Sequence, residues 1–230
     1  MNNGDNQKSK IENCLCVSIG NMPALDCFKL ASQYPLVEIR FDLLSDIAAD
    51  NMHVLGLHCR QWIATCRPGN LTQQERTKLL AAAIYARATY IDIEYEAEPD
   101  YRQALMDLAR QHSSKVIISY HNFETTPEID ALNDIIRQSK EMGADYVKLV
   151  TTATCAADCA RIMSLYAQHD NLLAFAMGAA GKITRVAMPF LGAAFTYVCA
   201  DEAHKTAPGQ LTAPEMEGII RKMSVFHCFK

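Results

Sequence analysis

The sequence predicts an α/β fold, a parallel (β/α)8 barrel forming one domain over residues 1–230. Three observations carry that expectation. Eight short apolar runs of strand length alternate from end to end with longer amphipathic stretches. The intervening stretches carry helix start and stop signals. No proline-rich linker, compositional break or fixed-period repeat divides the chain. Such alternation favours a parallel sheet, and eight units favour closure over an open doubly wound sheet. At 230 residues the chain is shorter than the roughly 250 typical of this barrel, so its loops should be short.

The strand candidates, in order, are CLCVSI (14–19), LVEIRFDLL (36–44), QWIATC (61–66), TYIDIEY (89–95), KVIISYH (115–121), DYVKLV (145–150), NLLAFAM (171–177) and AAFTYVC (193–199). Each is apolar and bounded by polar or turn residues. Among the helical stretches, 71–88 has Thr72 followed three residues later by Glu75, a capping box ahead of an alanine-rich run. The stretch 126–143 offers Thr126 as a cap, Pro127 at the first helical position and Gly143 as a stop. The run 212–226 opens with a Thr–x–Pro start.

Composition narrows the function. A net charge of −4 without a basic cluster gives no footprint for nucleic acid. Apolar stretches such as NLLAFAMGAAG fall well short of the roughly 20 residues of a membrane span. The polar N-terminal segment does not read as a signal peptide, so a cytoplasmic protein is expected. Nine cysteines, at 14, 16, 27, 59, 66, 155, 159, 199 and 228, are odd in number and scattered, which argues for free, mostly buried thiols. The seven histidines form no HExxH or HxH pair, so no metal site is expected.

In such a barrel the site lies at the C-terminal ends of the strands, and polar residues do fall late in the apolar runs. Glu38, Arg40 and Asp42 alternate in the second run, sharing one face. They fit a structural ion network and a binding site equally well. Arg67 closes the third run before Pro68 and Gly69; alone, it reads as a solvated loop residue. Asp92 and Glu94 are same-face carboxylates in the fourth. His121 ends the fifth, where an imidazole can act as a general acid–base. Lys148 interrupts the apolar sixth run. It either snorkels to water or serves as a nucleophile, since in an apolar pocket or beside other cations an amine gives up its proton and attacks carbonyls. His121 and Lys148, on adjacent strands, should lie about 5 Å apart at the backbone. AMGAAGKITRV lacks phosphate-loop spacing and reads as a glycine turn opening a helix, with Arg185 about one turn in and able to pair with a carboxylate. Last, Thr206 and Gln210 flank Pro208–Gly209, offering a hydroxyl and an amide to a polyhydroxylated ligand.

Together these residues resemble type I 3-dehydroquinate dehydratase, the Schiff-base class of the shikimate pathway. EIRFD, SYHNF–TTP, GADYVKL, MGAAGKITR and TAPGQ occur in the family's order over nearly the whole chain. The resemblance implies that Lys148 forms an imine with the C3 ketone of 3-dehydroquinate. It implies His121 as the general acid–base, Arg185 as the carboxylate anchor, and Glu38, Arg40 and Arg67 on the ring hydroxyls. Thr206 and Gln210 fall on the closing loop between the last strand and helix. It further implies a homodimer and no metal or organic cofactor. Thr206 and Thr184 stand where the family commonly has serine. The segment RPGNLTQQER after Arg67 lacks the family's Gly-Gly and following acid or amide, so no partner for His121 is assigned there; Glu75 begins a helix instead. Two further readings are a class I aldolase, which needs a phosphate site near the last two strands, and a non-catalytic barrel.

Overall fold

The apolar runs are buried almost continuously because each is pinched between the barrel interior and a ring of helices. The computed structural model describes residues 14–223. The N-terminal polar segment, Cys228 and the end of the last helical run lie outside the described residues. Eight strands match the eight predicted runs: β1 (Leu15–Ile19), β2 (Leu36–Arg40), β3 (Gln61–Thr65), β4 (Tyr90–Glu94), β5 (Lys115–His121), β6 (Tyr146–Thr152), β7 (Leu172–Met177) and β8 (Thr196–Val198). Between and after them run α1 (Ala24–Ala31), α2 (Met52–His58), α3 (Gln73–Tyr85), α4 (Pro99–Gln111), α5 (Ile129–Glu141), α6 (Ala156–Ser164), α7 (Gly178–Ala187) and α8 (Ala213–Met223).

Every strand from β1 to β6 pairs in parallel with the next, and β8 pairs in parallel with β1. The barrel is nearly closed: among the described residues no ladder joins β7 to β8. The free edge of β7 is satisfied by hydroxyls instead. Ala174 N donates to the Tyr166 hydroxyl (2.8 Å), which donates back to Ala174 O (2.9 Å), and Ala176 N donates to Thr184 Oγ1 (2.8 Å). An unpaired edge is a liability unless something covers it. Here Tyr166 and Thr184 do so.

The N-terminal end of the interior is apolar, with Cys16, Leu36, Ile63, Ile117, Leu173 and Phe195 packed together. Lys115 closes it, its ammonium 6.0 and 5.9 Å from the ring centres of Tyr90 and Tyr146. The outward strand faces bury Trp62, Ala64, Ile91 and Ile118 under the helices. Each full burial of a large apolar side chain stabilises by about 1.5–3 kcal/mol. That packing sets the register with which polar residues are delivered to the opposite end.

Local signals hold in some places and yield in others. Thr72 and Glu75 form the predicted capping box of α3, and Gly143 ends α5 at φ +97°, where a Cβ would meet the Arg110 guanidinium. The second apolar run, however, ends as a strand at Arg40, and Phe41–Leu43 is a single 3-10 turn. Turning there buries Phe41 edge-on against Trp62. Thr126 does not cap α5, nor is Pro127 its first residue: Glu128 occupies the cap position. The Thr126 hydroxyl is held by Thr151 Oγ1 (2.8 Å) and Thr152 O (2.9 Å), which ties this segment to β6.

Candidate active site

The C-terminal mouth of the barrel encloses a cavity of about 530 Å³. Glu38, Arg40, Arg67, His121, Lys148, Arg185, Thr206 and Gln210 all line it, although they are spread over the chain from β2 to the loop before α8. Period-two alternation explains the convergence, since each strand-borne residue lies an even number of positions from an inward neighbour.

Lys148 projects inward and is buried, its side chain 5% exposed. Its Nζ donates to Glu38 Oε1 at 2.9 Å and Asp92 Oδ2 at 3.0 Å, and lies 4.1 Å from the centre of the Tyr197 ring. Snorkelling to water is therefore not what this lysine does. Its partners are two carboxylates and an aromatic face, not the apolar wall or neighbouring cations anticipated from sequence.

Both carboxylates are firmly ionised. Burial alone would raise the Glu38 pKa, but Lys148 and Arg40 outweigh it and hold the carboxyl below its ordinary value. Asp92 is also buried, and Arg67 and Lys148 depress it strongly. Glu38 additionally accepts from Ser18 Oγ (2.6 Å) and Thr65 Oγ1 (3.1 Å), while Asp92 accepts from Ser119.

Arg67 uses three of its five N–H donors on Asp92, Glu94 and Ser119, and its backbone N–H donates to Asp42. It is part of a buried network, not a solvated loop residue. Arg40 grips Asp42 with two N–H groups, at 3.0 and 2.6 Å. The 3-10 turn after β2 brings Asp42 back to that grip.

His121 ends β5 and its ring stacks on Phe123, with centres 6.0 Å apart and planes 18° from parallel. Its backbone is not level with that of Lys148. The ladder pairs Lys148 with Ser119 and His121 with Val150, so the histidine stands one inward-facing step nearer the mouth. Burial, reinforced by Arg67 and Lys148, pushes the imidazole pKa well below its ordinary value despite Asp92. The ring is neutral near pH 7, the state required of a base.

These shifts make stability pH-dependent. Below about pH 6.5 the unfolded chain protonates His121 but the folded chain does not. More protons are then bound by the unfolded state, so stability falls as pH drops from about 6.5 toward the folded pKa and is unaffected above it. Glu38 and Asp92, depressed in the fold, add a second loss as pH falls below about 4.5. Urea unfolding at stepped pH should show both limbs. His121→Gln should flatten the first, leaving the share of His169, whose pKa burial also lowers.

Arg185 differs from the other cations. It lies in the last turn of α7, not its first, and is 1% exposed. Its guanidinium carbon sits 4.3 Å from the centre of Phe175, an inward residue of β7, and Thr196 Oγ1 of β8 donates to its carbonyl. The side chain thus enters the interior at the seam that no ladder closes. Its Nε and Nη2 are buried without a hydrogen-bond partner. Burial lowers its pKa to about 10, which still leaves it charged near pH 7. A buried cation with unsatisfied donors strongly favours an anionic partner.

The loop after β8 covers one side of the cavity. Thr206 N donates to Gln210 Oε1 at 3.0 Å, and the single proton of Thr206 Oγ1 faces two acceptors, Ser18 Oγ at 2.9 Å and Gln210 Oε1 at 3.2 Å. Gly209, at φ +74°, lies so close to Gly178 that a Cβ would come within 2.9 Å of its carbonyl oxygen.

Sequence reasoning missed Ser18, Tyr197 and Phe123 as cavity residues and gave Asp92 no role. Ser18 and Tyr197 carry the same signal as the others, a polar atom late in an apolar run.

The family model for type I 3-dehydroquinase matches residues 15–226. The chain is 39% identical over 221 residues to the 3-dehydroquinate dehydratase of Desulfotalea psychrophila, covering 90% of this chain and 97% of that one. With the enzyme of the same name from Pyrococcus abyssi it shares 34% over 197 residues, covering 83% and 88%. The solved 3-dehydroquinate dehydratase of Aquifex aeolicus superposes with a TM-score of 0.75 at 25% identity, over 90% of this chain and 97% of that one. That of Geobacillus kaustophilus gives 0.79 at 22%, over 94% and 92%, a likeness of fold.

Proposed function

The chain belongs to the type I 3-dehydroquinase family, and on that premise we propose that it dehydrates 3-dehydroquinate to 3-dehydroshikimate through an imine on Lys148. The observation that carries this reading is one cavity holding a buried amine, a neutral imidazole one step outward, and an arginine with unpartnered donors.

Arg185 pairs with the substrate carboxylate and so fixes the ring relative to Lys148. Glu38, Arg40, Arg67, Thr206 and Gln210 present groups suited to the ring hydroxyls. The Lys148 amine adds to the C3 carbonyl, and loss of water leaves a protonated imine. That imine carries the positive charge the lysine carried, between Glu38 and Asp92 and over Tyr197, so the pocket needs no reorganisation to hold it. The imine draws electrons far better than the ketone did, which acidifies C2. His121 takes the C2 proton, and the electron pair moves to the imine nitrogen as an enamine. The enamine then expels the C1 hydroxyl, which receives the proton from His121 and leaves as water. Hydrolysis of the regenerated imine consumes one water and frees the lysine, for a net loss of one water. No step draws on a metal or organic cofactor.

The reading is tested by following the ultraviolet absorbance of the conjugated product when the protein meets 3-dehydroquinate. Borohydride added during turnover should leave a reduced adduct mapping to Lys148; active protein that never labels would overturn the imine route. The same reading takes the protein to be a homodimer of single-barrel chains in the cytoplasm, with light scattering as the check on assembly.

Arg185→Met is expected to raise KM by at least about 30-fold, the cost of removing one partner of a buried charge pair. The same change should raise the melting temperature, because it removes a buried cation with two unsatisfied nitrogens. A variant with unchanged KM would remove Arg185 from the carboxylate site.

A further inference from the structure

We propose that Ser18 is a positioning residue that transmits the seating of the loop 201–210 to Lys148 through Glu38; this rests on the lysine acting as the amine described above. Ser18 is buried and stands opposite Glu38 in the β1–β2 ladder. Its hydroxyl has one proton, and the ionised Glu38 can only accept, so that proton goes to Glu38 Oε2 at 2.6 Å. Ser18 Oγ must then accept from its other neighbour, Thr206 Oγ1, at 2.9 Å. Ser18 is the nearer of the two acceptors open to the Thr206 proton, at 2.9 Å against 3.2 Å for Gln210 Oε1, so the chain runs from Thr206 to Ser18, from Ser18 to one oxygen of Glu38, and from Lys148 to the other at 2.9 Å.

A hydroxyl that accepts a hydrogen bond becomes a better donor. When the loop is seated, Thr206 strengthens the bond from Ser18 to Glu38 and draws negative charge toward Oε2. Less charge remains on Oε1, and its grip on the Lys148 ammonium loosens. When the loop lifts, the grip tightens. Seating of the loop and readiness of the lysine are thus linked, and the link is reciprocal. The loop is anchored at two further points, Asn21 Nδ2 to Lys205 O at 3.3 Å and the contact of Gly209 with Gly178.

The test reads the lysine without relying on turnover. The full-length protein is treated with formaldehyde and borohydride, and methylation of Lys148 is followed by peptide mass spectrometry. Ser18→Ala should slow Lys148 methylation on the order of tenfold, the size expected for one hydrogen bond to a charged group. Thr206→Val should slow it in the same direction, and in the Ser18→Ala background should add nothing. Thr206→Ser keeps the hydroxyl and should restore the wild-type rate, which guards against a Ser18 variant that folds poorly. Independent, multiplying effects of the two changes, or an unaltered rate in Thr206→Val, would overturn the relay. Wild-type protein that shows this coupling but does not convert 3-dehydroquinate would instead overturn the proposed reaction and leave the relay standing.

Discussion

Lys148→Ala is expected to abolish turnover of 3-dehydroquinate and to lose the borohydride-trapped adduct. No other amine is described in the cavity, so no second nucleophile can form the imine. The loss should be accompanied by lower stability, because Glu38 and Asp92 would face each other without the cation between them. Breaking a buried pair in this way costs about 3–5 kcal/mol. A lost activity could then be blamed on a lost fold, so Lys148→Arg is the sharper variant. It keeps a positive charge between the two carboxylates but cannot form an imine with a ketone. A folded, inactive, unlabelled arginine variant beside an unstable alanine variant would separate the two roles. An adduct found on either variant would sink the assignment.

The second large effect is at His121. His121→Ala should lower kcat by about 10²–10⁴, the range for losing a general acid–base. The imine should still form, so borohydride trapping would continue while elimination stalls. Because the ring lies at the cavity mouth and its packing is a stack on Phe123, little stability should be lost near pH 7. In the wild type the acid limb of kcat/KM, which reports the free enzyme, should fall below pH 6.5, following the depressed imidazole pKa. A limb at or above 6.5 would mean that some other group is the base.

All eight strands were legible as short apolar runs bounded by polar or turn residues, and the convergence of the polar residues followed from period-two spacing and the rule that barrel sites lie at strand ends. What sequence could not supply was register and partnership. Lys148 meets carboxylates 110 and 56 positions away, and no local pattern announces such contacts. The two-residue offset between His121 and Lys148 depends on how β5 and β6 slide past each other, a property of barrel shear and not of either strand. Thr126 reads as a cap by local rules, yet β6 offers its hydroxyl two better partners. The early end of β2 likewise reflects the packing of Phe41 against Trp62, which lies in the next strand.

The seam between β7 and β8 bears on how this pocket can change. A barrel closed by ladders all round ties every strand to one shear, so moving one inward residue disturbs its neighbours. Here the anion-seeking arginine hangs from a helix and enters where the sheet is joined by side chains alone. Its reach and identity can therefore be altered by re-seating one helix, with every hydrogen-bonded register left in place. Substrate preference at that wall is open to gradual drift, while the lysine, locked inside the ladders with its two carboxylates, is not.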